Sequence, residues 1–272
     1  MNIQDTNDRN IMLEILDKLN IEYINHKYFT DGASSKVILL NDYYLIKQNE
    51  PQVLQAEYVF LKHNISKYFQ KILYFDPKFK FVVYEFISGN TIKKVSNPEK
   101  LINELLLITS NYSKYLGNGF GYLNEEVETF SKFLSDEIIY SSKNLKNHIP
   151  DNSIAFKCTQ ILEKYPFEKK LLHGDFGTHN FIEKNNNFVG IIDPMPVIGD
   201  PLYDILFAIS SNIDLLNSVT LEKLYLLLNE PTKKVNAMFV IVLYSRMSRC
   251  LKYHPQDFNI YFNFWNKLIN LI

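Results

Sequence analysis

The chain has 272 residues and a formal net charge of −1. It is 46% hydrophobic and 22% charged, the make-up of an ordinary globular protein and not of a disordered one. Such a balance supplies no basic field for nucleic acid or an anionic membrane. The longest apolar run, Ala237 to Tyr244, falls far below the roughly 20 residues that span a bilayer. Cys158 and Cys250 lie far apart and match neither a disulfide framework nor a metal spacing, and the N-terminus is polar and acidic. The expectation is a cytoplasmic protein with no nucleic-acid and no membrane partner.

Asp8 to Leu19 carries partly helical apolar spacing through Ile11, Ile15, Leu16 and Leu19. The runs 23–29, 36–40 and 43–47 then read as strands rich in β-branched and aromatic residues, with Asn41-Asp42 as a tight turn. Pro51 marks the first turn of a helix through Ala56, Phe60 and Leu61, and 71–75 and 80–86 follow as strands around an Asp76-Pro77 turn. Residues 1–86 are thus a helix with a small, mainly antiparallel sheet. Ser88-Gly89-Asn90 is the boundary, and 87–272 is largely helical, broken by strand-like runs at 171–172 and 188–192. The expectation is an α+β fold of two lobes, with a ligand cleft between them.

The chemistry concentrates in Leu171-Leu172-His173-Gly174-Asp175-Phe176-Gly177-Thr178-His179-Asn180. An Asp five residues before an Asn, on a loop leaving an apolar strand, suits phosphoryl transfer. The Asp takes the proton of an attacking hydroxyl, and the Asn offers a neutral oxygen to a metal ion. Asp193 ends the strand Val189-Gly190-Ile191-Ile192 and supplies a hard carboxylate oxygen for Mg²⁺. His173, Asp175 and His179 can also be read as ligands of a metal-dependent hydrolase. That reading lacks a full ligand set and leaves Asn180 and Asp193 without a purpose.

The string His173-Gly174-Asp175 through Asn180, followed by Ile192-Asp193-Pro194-Met195-Pro196 and Gly199-Asp200-Pro201, resembles the aminoglycoside phosphotransferase family, and most closely its streptomycin-kinase branch. The resemblance covers roughly residues 171–206. It implies a protein-kinase-like fold: a nucleotide-binding lobe over 1–86, and a helical lobe over 87–272 carrying the catalytic loop and acceptor site. The implied activity is transfer of the γ-phosphoryl group of ATP or GTP to a hydroxyl of a small acceptor, by a monomer or dimer. An aminoglycoside is one candidate acceptor; choline, a sugar or homoserine are the alternatives. Asp175 is then the catalytic base, Asn180 and Asp193 hold Mg²⁺, and Asp204 bonds the catalytic-loop backbone.

In the same frame Lys47 faces the nucleotide phosphates and Glu57 is its ion-pair partner, with Glu50 as a competitor just before the helix. The phosphate-covering loop falls at Thr30–Ser35, where Gly32, Ser34 and Ser35 let backbone and hydroxyl groups approach phosphate. The connector offers backbone groups of Glu85 and Ile87 to the purine edge. No Gly-x-x-x-x-Gly-Lys-Ser/Thr motif is present, which sets P-loop kinases aside. Glu125, Glu126, Glu128, Asp136 and Glu137 form an acidic stretch expected on a helix, read as a solvated face although a polycation would be drawn to it. Arg246, Arg249, His254 and Trp265 read as core-edge packing and surface pairing, and His179 as an ordinary loop residue.

Overall fold

The computed structural model describes residues 5–29 and 35–272. The N-terminal helix α1 (Thr6–Leu19) begins two residues earlier than its apolar spacing suggests, because Asp5 caps it and accepts from the amides of Asn7 and Asp8. It ends at Asn20, held in the left-handed region at φ 51°. Strands β1 (His26–Phe29), β2 (Lys36–Leu40) and β3 (Tyr44–Gln48) precede helix α2 (Pro51–His63), and β4 (Ile72–Phe75) and β5 (Val82–Glu85) follow it. They form one antiparallel sheet in the order β1-β2-β3-β5-β4. Asn41 and Asp42 both take positive φ, 52° and 55°, the backbone that a tight β2–β3 hairpin requires.

Period-two alternation sorts this sheet's side chains. Ile38, Leu40, Ile46 and Val83 face α1 and pack with its buried stripe of Ile11, Met12 and Ile15. Val82 and Tyr84 point to the other face, into the core shared with Leu54 and Phe60 of α2. Lys47, one residue beyond Ile46, therefore also lies on the α2 side.

Beyond the connector come β6 (Asn90–Thr91), α3 (Pro98–Ser110), β7 (Gly121–Tyr122), α4 (Phe130–Leu145) and α5 (Ser153–Leu162). Next come β8 (Lys170–Leu172), β9 (Phe181–Lys184), β10 (Asn187–Ile191) and β11 (Val197–Gly199), then α6 (Pro201–Ser210). Helices α7 (Ser218–Leu227), α8 (Thr232–Tyr253) and α9 (Phe258–Ile269) complete the chain. Two small sheets, β10-β9-β6 and β7-β11-β8, frame the loop from His173 to Asn180. Helix α8 is the centre of this lobe. Ala237 to Leu243 are all buried, as expected of a helix surrounded by others, here α4, α5, α6 and α9. Among the described residues no helix is long and apolar enough to cross a membrane.

The lobes are tied together near the loop from His173 to Asn180. Asn64, at the end of α2, donates to Leu171 O (3.3 Å) and accepts from Ser113 N (2.7 Å), while Ile191 N donates to Tyr68 O (2.7 Å).

Candidate active site

Lys47 Nζ lies 2.5 Å from Glu57 Oε1 and 3.1 Å from Asp193 Oδ1, so a single ammonium joins β3, α2 and the end of β10. Lys47 and Glu57 are both buried, and Tyr84 adds a hydrogen bond to Glu57 Oε2 (2.9 Å). Burial works against the charge on Lys47, but the carboxylates of Glu57 and Asp193 outweigh it and raise its pKa. The ammonium therefore stays charged inside the protein. Glu50 occupies the position before α2 and makes no ion pair with Lys47.

The loop after β8 is fixed from below by α6. Asp200 caps that helix through Leu202 N (3.0 Å) and pairs with the buried Lys234 (3.0 Å). One turn on, Asp204 accepts from His173 N (2.8 Å), Gly174 N (3.1 Å) and the Tyr112 hydroxyl (2.9 Å). Gly174 has φ +79°, and a Cβ there would stand 1.8 Å from Met195 O, so this turn admits only glycine. The His173 ring is fully buried; Nε2 lies 3.0 Å from Ile192 O, and among the described residues Nδ1 has no partner. Burial lowers its pKa to about 4, and the contacts agree: a neutral ring donates from Nε2, whereas a charged one would strand a second N–H.

Asp175 thus emerges at the end of a rigid turn. Its Oδ2 accepts from Asn180 Nδ2 (2.9 Å) and lies 3.2 Å from His179 Nε2; Arg249 Nη1 stands 3.8 Å from Oδ1. Burial opposes its ionisation, but the His179 hydrogen bond and the neighbouring positive charges, Arg249's among them, hold the carboxyl below its usual range. His179 is therefore more than a loop residue, since its ring orients Asp175. Asn180 is engaged through Nδ2, with the Asp175 carbonyl as its second acceptor (2.9 Å), which leaves Oδ1 outside these bonds. Ile192 N donates to Asn180 O (3.0 Å) and so sets Asp193 on the neighbouring strand end. Asp193 sits in the left-handed region at φ 57°, where Asp is tolerated better than most residues, and its side chain is 54% exposed.

An amide oxygen and a carboxylate on adjacent strand ends are the few hard ligands that suit Mg²⁺, which keeps waters and substrate phosphates for the rest of its shell. Among the described residues no group of three or more His, Cys, Asp and Glu converges, so the ligand set of a metal-dependent hydrolase is not assembled.

In the connector, Glu85 N donates to Lys71 O and Phe86 N to Tyr43 O, both at 2.8 Å. The Glu85 amide is thus committed to the sheet, and the expected purine contact there is limited to its carbonyl. The Ile87 amide makes no backbone hydrogen bond among the described residues. The Ser35 hydroxyl accepts from Asn49 Nδ2 (2.8 Å). Gly32 and Ser34 lie outside the described residues.

Asp175 opens onto a cleft of about 1160 Å³ lined by, among others, Tyr122, Thr178, Ser211 and Tyr253. The acidic stretch is not its wall. Glu125, Glu126 and Glu128 precede α4 instead of lying on a helix, Glu126 bonds the Tyr115 hydroxyl, and Asp136 pairs with Lys132. Only Glu137 of that group reaches the cleft. Arg246, Arg249 and His254 line it as well, against their sequence-based reading as surface and core-edge residues. Trp265 is core, its Nε1 donating to Val240 O (3.1 Å). The missed signal was Arg246 and Arg249, three apart in a helix otherwise without charge from Val235 to Leu251.

No protein-family model matches the sequence, and no curated protein matches it. Solved structures do match in fold. The GDP complex of wild-type aminoglycoside 2'-phosphotransferase-IIIa aligns over 97% of this chain and 99% of its own, at 14% identity and a TM-score of 0.57. Aminoglycoside phosphotransferase APH(4)-Ia aligns over 97% and 98%, at 14% identity and 0.64. A ternary complex of a thermostable mutant of the latter with AMP-PNP and hygromycin B aligns over 96% and 98%, at 15% identity and 0.64. The chain therefore has the two-lobed, protein-kinase-like fold of these enzymes, with a small antiparallel lobe and a larger helical one.

Proposed function

We propose that the protein is a small-molecule kinase that moves the γ-phosphoryl group of ATP or GTP to an acceptor hydroxyl, with 1–86 as its nucleotide lobe and 87–272 as its acceptor lobe. The observation that carries this reading is the joining of Lys47, Glu57 and Asp193 in one ion-pair chain, beside an Asp175 carboxylate bonded to Asn180. Asp175 accepts the hydroxyl proton as the acceptor oxygen bonds to the γ-phosphorus. The bond from that phosphorus to the β-phosphate oxygen breaks, giving a phosphate monoester and a nucleoside diphosphate. Lys47, held extended by Glu57, orients the nucleotide phosphates. Asn180 and Asp193 would hold Mg²⁺, which when bound neutralises charge on the phosphate oxygens.

The likeness to enzymes solved with GDP or with AMP-PNP and hygromycin B supports a nucleotide and a small hydroxylated acceptor. Helix α6 begins eight residues after Asp193, which leaves no long segment on which to seat a polypeptide substrate. Calorimetric titration with Mg²⁺–ATP and Mg²⁺–GTP tests the reading. At least one binds, and Asp193→Asn weakens it; a protein that binds neither is not this kinase.

A further inference from the structure

The cleft beside Asp175 carries the wrong charge for a polycation. Lys93, Arg246, Arg249 and Lys252 line it, against Glu137, Asp175 and Asp257. Two of those three acids are already engaged by one base: Arg249 stands 4.0 Å from Glu137 and 3.8 Å from Asp175. Burial moreover raises the pKa of Glu137, with the Arg249 charge working against it. Among the described residues, Lys93, Arg246 and Lys252 have no carboxylate within ion-pair distance. His179 and His254 line it as well.

Arg246 is the sharpest of these features. It donates from Nη2 to Ser211 O at a long 3.3 Å, and among the described residues its buried Nε has no partner. Its charge also bears on the Tyr261 hydroxyl, a further wall of the cleft. A guanidinium offers five donors in a planar fork, and a buried one left unpaired is costly. Such a fork matches the paired oxygens of a carboxylate or phosphate. Arg246 is three residues from Arg249 on α8, about 4.5 Å along the helix axis. Arg249 is the residue beside Asp175. An anion on Arg246 therefore sits about one helical turn from the reacting hydroxyl, a separation of several bonds in one small molecule.

We propose that the acceptor of this site is a hydroxylated anion, its carboxylate or phosphate held by Arg246 and its hydroxyl presented to Asp175. The assignment rests on the kinase reading and narrows it. An aminoglycoside would set its ammonium groups against four Lys and Arg side chains, and like charges in such a cleft oppose binding.

The test is calorimetric titration of the full chain, saturated with Mg²⁺–ADP so that its phosphate site is filled. The probes are gluconate, glucose 6-phosphate, glucose, glucosamine and kanamycin. Gluconate or glucose 6-phosphate binds more tightly than glucose, and glucosamine and kanamycin bind more weakly; the two anions distinguish a carboxylate from a phosphate. Arg246→Gln raises Kd for the bound anion by about tenfold or more. Its Mg²⁺–ADP affinity, unchanged, shows that the variant is folded. Should that variant not fold, the exposed Lys93→Ala decides, with Kd raised about threefold. Tighter binding of glucosamine or kanamycin, no binding of either anion, or anion affinity indifferent to the substitution would each overturn the assignment. If Mg²⁺–ADP binds while the anion arm fails, the kinase reading stands alone. If Mg²⁺–ADP does not bind, both fall.

Discussion

Replacing Glu57 by Gln tests how the N-terminal lobe is wired. The substitution keeps the shape and an acceptor for the Tyr84 hydroxyl, but removes the charge 2.5 Å from Lys47 Nζ. Lys47 is 7% exposed and cannot turn to water for compensation. Its remaining counter-ion is Asp193 at 3.1 Å, half exposed and therefore screened. Removing one partner of a buried pair costs about 3–5 kcal/mol, and the surviving Asp193 contact places this case near the lower end, about 3 kcal/mol. With a urea slope of roughly 3 kcal/mol per M, the unfolding midpoint falls by about 1 M. The double variant Lys47→Met with Glu57→Gln removes the stranded ammonium and recovers most of that loss. Urea titration followed by Trp265 fluorescence and far-UV circular dichroism reads both. A midpoint unmoved by Glu57→Gln, or a double variant no more stable than the single one, would refute the reasoning.

His173 gives the protein an acid-side instability. Its pKa is about 4 in the fold and about 6.5 unfolded, so between those values the unfolded chain binds the extra proton and stability falls as pH is lowered. The contribution is fully present above about pH 6.5 and reaches a loss of roughly 3 kcal/mol by pH 4; the slope of stability on pH should flatten in His173→Gln, and an equal slope would exclude the effect. Gly174→Ala adds a Cβ against Met195 O in a backbone at φ +79°, and should destabilise by about 2–4 kcal/mol in thermal unfolding. A change under about 0.5 kcal/mol would show that the turn relaxes freely.

Elements with strong local chemistry are legible in the sequence itself. The β2–β3 hairpin announced itself through Lys36–Leu40, Tyr44–Gln48 and an Asn-Asp turn, and Pro51 marked the start of α2. Asp175, Asn180 and Asp193 stood out because their spacing encodes a loop and the strand after it. The short strands β6, β7, β9 and β11 were not legible. Two to four residues carry no periodicity, and their pairing depends on partners distant in the chain, as in Val197 with Leu172. The cleft's basic lining is not legible in the sequence for a related reason. The acidic run at 125–137 is conspicuous in one dimension but turns mostly elsewhere, whereas Arg246 and Arg249 matter only because α8 crosses behind Asp175. Which face of a buried helix meets a cleft is a property of packing, not of the local sequence.

The central claim is that Asp175 takes a proton during phosphoryl transfer. Its most direct test is Mg²⁺-dependent nucleotide consumption, with ATP and GTP separately, over a panel of hydroxylated acceptors of negative, neutral and positive charge. The account predicts turnover with one acceptor class and a loss of at least about 100-fold in Asp175→Ala, while Mg²⁺–nucleotide affinity stays close to that of the unaltered protein. Equal turnover in the variant would contradict it.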